Sequence, residues 1–303
     1  MRIDVPGGRI NVVVEGDGPL VLLVHGFPEG AWAWRRQLPA LAAAGYRAAA
    51  IDVRGYGDSF VPEPVEAYRM LAHVADNVAV VRALDADTAV LVGDDWGSAI
   101  AIASAQVRPD LFSGVAMLGV PYTPRADAPP AFPADFYVGH FQTPGVAEAE
   151  ITRDTGSWLR RFYAALTDGT PGWFGVPMSL PDAPVPAWVP DIDAITRDFE
   201  RNGVAGPLNR YRNFARDWED LAAFDAPRQP TVFITGERDS TRLWLGEAID
   251  RQADWLPAHT GTHVIPDCGH WVQQERPDEV NALLLDFLDG LARRRKRAPA
   301  AAT

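Results

Sequence analysis

"TAVLVGDDWGSAI" (residues 88–100) passes from aliphatic and β-branched residues, through two adjacent carboxylates, into a run of small residues. The first part predicts a strand over 88–93 buried on both faces, and the last part predicts a helix over 96–107. Between them lies a sharp turn bounded by Gly93 and Gly97. A strand–nucleophile–helix elbow needs small residues two before and two after its central residue, because the backbone there is tight and strained. The two glycines therefore select Asp95. Centring on Asp94 would put Trp96 where a small side chain is required, and centring on Ser98 would flank it with Trp96 and Ile100. Glycines at a strand–helix joint also serve nucleotide sites, but neither a Walker sequence nor G-x-G-x-x-G follows.

Around the elbow, strands and helices alternate. "PLVLLVHG" (19–26) and "YRAAAIDV" (46–53) read as buried strands, with a helix ending at Gly45 between them. A helix is expected over 67–84, and further strands over 113–120, 230–239 and 262–271, with an amphipathic helix over 273–292. This rhythm predicts an α/β fold, a mostly parallel central sheet flanked by helices. Between residues 120 and 230 it is interrupted for far longer than a connection, since loops beyond about 15 residues are uncommon. The expected organisation is a core in two parts, 1–121 and 229–292, an inserted and mostly helical cap over 122–228, and a basic, disordered tail over 293–303. Trp158, Phe162, Trp173, Phe174 and Trp188 supply apolar mass for the cap, and "ADAPPAFPA" reads as its hinge.

A carboxylate at the elbow suits different chemistry from serine. Ionised Asp already carries a free lone pair and can displace a leaving group from saturated carbon, leaving an alkyl ester. Water must then cleave that ester, which requires a base and an oxyanion hole. Of the six histidines, only His270 lies in a Gly-containing turn after the last strand, where the base of such a fold belongs. His73, His140, His259 and His263 fall in a helix pattern, in the cap, or at a strand. Asp239, closing the strand before, is the expected orienting acid; Asp127 in the Pro-rich hinge is the rival. The backbone N–H groups of Phe27, in the "HGFP" loop with His25, Gly26 and Pro28, and of Trp96 are the expected oxyanion donors.

Together "LVHGFPEGAWAWRRQLPALAAAGYRAAAIDVRGYGDS", "GDDWGS", "FQTPGVAEAE", "GPLNRYRNF" and "DCGHWVQQERPDEVN" resemble the soluble epoxide hydrolases of the α/β-hydrolase fold, from about Pro19 to Leu291. The two cap stretches discriminate; the others are shared with neighbouring hydrolases. The resemblance implies an epoxide substrate, water as the second reactant, a vicinal diol as product and no cofactor or metal. It further implies that Tyr137 and Tyr211 donate hydrogen bonds to the epoxide oxygen, whereas Tyr163 belongs with the packing residues. One position departs: the family commonly has His before the nucleophile, and here Asp94 stands there. A second carboxylate discourages ionisation of Asp95 unless Asp94 points away or is paired. Dehalogenation through the same Asp ester is the nearest rival, weakened by Phe27 where a halide-binding Asn is common and by the paired tyrosines. A non-catalytic small-molecule receptor on the same scaffold is the alternative of another class.

The composition agrees with an enzyme of small molecules. Hydrophobic residues make up 47% of the 303, and the net charge is −12. Five of the basic residues crowd into Arg293–Arg297, so the remainder is more acidic than the total and should repel nucleic acid. No stretch approaches the roughly 18 apolar residues of a membrane span, and the N-terminus lacks a signal-peptide layout. The single cysteine, Cys268, excludes an intrachain disulfide and a cysteine-based metal cluster. A cytoplasmic location is expected; oligomeric state is not legible.

Overall fold

The computed structural model describes residues 1–168 and 182–297. Trp173, Phe174 and the end of the basic tail lie outside the described residues.

Eight strands form one sheet: β1 (Arg2–Val5), β2 (Gly8–Glu15), β3 (Leu20–Val24), β4 (Arg47–Ile51), β5 (Ala89–Asp94), β6 (Phe112–Leu118), β7 (Thr231–Gly236) and β8 (His259–Ile265). Their spatial order is β1-β2-β4-β3-β5-β6-β7-β8. From β4 to β8 every pairing is parallel, whereas β1 with β2 and β2 with β4 are antiparallel. All five residues of β3 are buried. Alternate residues enter opposite cores: Leu20, Leu22 and Val24 join one apolar cluster, Val21 and Leu23 the other. That double burial explains an unbroken apolar sequence rather than an alternating one.

The helices of the core are α1 (Gln37–Ala43), α2 (Met70–Ala83) and α3 (Trp96–Val107). Between β6 and β7 every described element is helical: α4 (Tyr137–Phe141), α5 (Val146–Ile151), α6 (Thr155–Asp168), α7 (Ile192–Asn202), α8 (Ala205–Tyr211) and α9 (Phe214–Asp220). The chain returns to the core with α10 (Arg242–Asp250), α11 (Gln252–Trp255), α12 (Val272–Glu275) and α13 (Pro277–Arg297). Leu284, Phe287, Leu288 and Leu291 of α13 complete one core with Leu38 and Leu41 of α1. The final helix thus runs to Arg297, past the Arg293 at which the tail was expected to begin. Among the described residues no helix is long and apolar enough to cross a membrane.

Strand order reverses beside β3, whose neighbours are β4 on one side and β5 on the other. In open parallel sheets a ligand crevice forms outside the carboxyl ends of the strands at such a reversal. The loops after β3, β5, β7 and β8 carry Phe27, Asp95, Asp239 and His270, all at that edge.

Candidate active site

Asp95 joins β5 to α3 with φ of +52° and ψ of −119°. A non-glycine residue rarely holds a positive φ, and here close packing enforces it. A Cβ on Gly97 would lie 1.9 Å from the carbonyl oxygen of Val24, and one on Gly93 would lie 2.1 Å from that of Gly97. Only glycine at both positions lets β5, α3 and the end of β3 approach this closely. A Cβ on Gly26 would likewise stand 2.4 Å from the Cβ of Asp95. His25 anchors the facing loop: its Nε2 accepts from the Val53 N–H at 2.9 Å, and its Nδ1 lies 2.8 Å from the Gly26 carbonyl. The Phe27–Pro28 bond is cis.

These restraints aim the carboxylate. The backbone N–H of Phe27 donates to Asp95 Oδ1 at 2.9 Å. Oδ2 faces the imidazole of His270, with Nε2 3.7 Å away. On the other side of the ring, Nδ1 meets Asp239 Oδ2 at 3.0 Å. Asp239 is fixed in turn by the Thr235 hydroxyl at 3.1 Å and the Thr241 N–H at 2.9 Å. Asp127, its rival in the sequence, is exposed in the segment before α4. Trp96 opens α3, so its N–H is among those a helix leaves without an internal acceptor.

Asp95 and His270 line a small cavity with Tyr137, Tyr211, Phe27, Phe162, Leu166 and Trp244. The Tyr137 and Tyr211 rings lie 6.3 Å apart. Burial first, and then the charge of Asp95, pushes both phenols above the ordinary tyrosine range, so both stand protonated as donors. For His270, burial alone would lower the pKa, but Asp239, then Asp95 and Asp94, raise it well above the ordinary imidazole value. Phe162 stacks on Trp158 at 4.9 Å and extends the cap core into the cavity wall. Tyr163 does not line that cavity: its hydroxyl donates to the Pro28 carbonyl at 2.6 Å, clamping α6 to the Phe27 loop.

Asp94 is fully buried and paired, with Oδ2 accepting from Gln273 Nε2 at 2.9 Å. The same Gln273 nitrogen lies 3.4 Å from Glu29 Oε2, also buried. Sequence reasoning missed Glu29 and Gln273. The available signal was Asp94 itself, since a carboxylate at the end of a buried strand demands a partner.

A central parallel sheet, a strained acid on the β5–α3 turn, and a His–Asp pair from the last two strands define an α/β hydrolase with a carboxylate at its nucleophile position. Residues 19–277 match the family described as alpha/beta hydrolase fold. Within that fold the chain belongs to the epoxide hydrolase family. It is 40% identical to Epoxide hydrolase A of Mycobacterium tuberculosis, over 95% of this chain and 97% of that protein. An epoxide hydrolase from an endophytic Streptomyces is 52% identical and superimposes with a TM-score of 0.91, covering 97% of this chain and 96% of its own. Epoxide Hydrolase A from Mycobacterium thermoresistibile is 38% identical with a TM-score of 0.87, covering 96% and 98%.

Proposed function

We propose that this chain hydrolyses an epoxide to a vicinal diol through an ester on Asp95, with residues 122–228 as a cap over a core made of 1–121 and 229–292, acting in the cytoplasm. The observation that carries the reading is the division of labour on one carboxylate: Oδ1 is already held by the Phe27 N–H, and Oδ2 is left facing His270 within the cavity.

Oδ2 attacks a ring carbon, the carbon–oxygen bond of the ring breaks, and Tyr137 or Tyr211 gives its proton to the emerging alkoxide. An alkoxide is a stronger base than a phenolate, and the burial that raises the phenols penalises the alkoxide in the same way, so the transfer runs downhill. Formation of the ester removes the charge of Asp95. That loss withdraws one of the influences holding the His270 proton, so the imidazole becomes a base when one is required. Neutral His270 then takes a proton from water, whose oxygen adds to Cγ. The tetrahedral oxyanion forms on Oδ1, where the Phe27 N–H already points and the Trp96 N–H is the second donor. Collapse breaks the Cγ–Oδ2 bond, the imidazolium protonates the departing diol oxygen, and the remaining water proton leaves the regenerated carboxyl to restore the tyrosine. Asp239 holds the imidazole in register throughout.

A single turnover in ¹⁸O-water tests this route. The first diol released should carry Oδ2 and no label, while the label appears in Asp95; Asp95→Ala should form no diol. Label in the first diol, or diol from the alanine variant, would overturn the ester mechanism.

A further inference from the structure

Two buried carboxyls lie behind the His270 ring. Glu29 is 2% exposed and Asp94 0%. Each feels the charge of the other. Their side-chain donors are neutral amides, one of them shared: Gln273 Nε2 donates to Asp94 Oδ2 at 2.9 Å and to Glu29 Oε2 at 3.4 Å, and Gln274 Nε2 donates to Glu29 Oε1. Arg35 stands one step removed, donating to Gln274 Oε1 at 2.7 Å. Among the described residues no group donates to Asp94 Oδ1. Two buried carboxyls held on one amide nitrogen, without a cation on either, repel each other too strongly for both to ionise, so one of them keeps a proton.

The pair faces the base. The position a Cβ would take on Gly119 lies 2.9 Å from His270 Cε1 and 3.4 Å from Asp94 Oδ1, and glycine leaves that gap open. The other charged or titratable groups facing the pair are Asp95 from the elbow, Arg35 through Gln274, Tyr56 from the loop after β4, and Tyr163 from α6.

We propose that Glu29 and Asp94 share one proton and serve as a positioning pair for His270, taking up the next proton themselves as the solution turns acid and so leaving the imidazole free as a base. The proposal rests on His270 being the base of ester hydrolysis. Burial supports it, holding Glu29 well above the carboxylate range and raising Asp94 to about 7. Above that pH the pair carries one negative charge beside the ring. Below it the pair is neutral, the field favouring imidazolium weakens, and His270 stays neutral to lower pH than it would beside a fixed carboxylate.

The test is the pH dependence of ester decay in single-turnover mixing of the whole protein with an aryl epoxide. In Glu29→Gln the amide donates to Asp94 and leaves no proton to share, so Asp94 stays ionised; the acid limb of ester decay should move up by about one pH unit. In the Glu29→Gln/Asp94→Asn double variant no charge remains, and the limb should fall below that of the Glu29→Gln protein by at least as much. Coincident limbs in all three proteins, with ester decay lost in His270→Gln, would overturn the pair alone. Ester decay at the parent rate in His270→Gln would instead overturn the base itself. Should a variant fail to fold, infrared difference spectra of the parent across the same pH range keep the question open to refutation: a buried protonated carboxyl should be present at neutral pH, and its absence at every pH would overturn the shared proton.

Discussion

Asp95 holds its φ of +52° because glycines on either side of the turn give their neighbours no Cβ to strike. Gly97→Ala would force a methyl to within 1.9 Å of a carbonyl oxygen. It should therefore cost about 3 kcal/mol or prevent folding, as read by denaturant unfolding. The two phenols can be tested separately, since losing a hydroxyl leaves the rings packed as before. Tyr137→Phe and Tyr211→Phe should each slow ring opening about 100-fold while leaving ester decay near the parent rate, measured by single-turnover mixing. An equal loss in both half-reactions would place the phenols outside proton donation. That Asp95, Asp239 and His270 lie at one edge was legible because each follows a strand, and a parallel sheet carries its strand ends to one side. The Glu29–Asp94–Gln273 cluster was not. Its Gln273–Asp94 contact spans 179 positions, and no local pattern in the sequence links the two.

At the scale of elements, α3 occupies Trp96–Val107, the span read from its small residues. The helix expected over 67–84 is instead two pieces, a short 3₁₀ turn at Val65–Tyr68 and α2, because Arg69 is extended with ψ of 152°. Strands β1 and β2 escaped a reading built on buried runs, since their outward positions are exposed and charged residues interrupt them. Helix α6 meets the loops that carry Phe27 and His270. The His270 N–H donates to the Leu166 carbonyl at 3.0 Å, and the Trp271 indole donates to the Tyr163 carbonyl at 3.2 Å. Tyr163→Phe leaves the Pro28 carbonyl without that donor and should cost about 1–2 kcal/mol in thermal or denaturant unfolding. Glu275 brackets the base, accepting from the Gly269 N–H at 2.9 Å and the Trp271 N–H at 3.1 Å. Glu275→Gln turns one acceptor into a donor facing an N–H. Ester decay should slow while ring opening persists, and equal slowing of both would show a general loss of structure.

Across the whole molecule, the interruption after β6 was legible as an insertion from its length alone. How it seats on the core was not, because the contacts join distant stretches: the Met70 N–H donates to Asp217 at 2.7 Å, and Asn213 donates to the Val65 carbonyl at 2.7 Å. The two half-reactions should part company with pH. Ring opening needs protonated phenols, which burial and Asp95 keep protonated well into alkaline solution. Ester hydrolysis needs neutral His270, a state lost as pH falls. The ester should therefore accumulate in acid and become undetectable in mildly alkaline solution, as trapping by acid quench and intact mass would report. Accumulation in alkali instead would reverse the assignment of the base.

The Phe27 N–H rests on Asp95 Oδ1, and α6 is fastened to the loops that carry Phe27 and His270. On the proposed route the donor that orients Asp95 would thus already be in place for the oxyanion of the second half-reaction, with no loop obliged to travel between them. Chemistry arranged in this way is compatible with a solid. Microcrystals of the protein soaked with a small epoxide should turn it over without cracking, and time-resolved diffraction should capture the ester with the Phe27 loop unmoved.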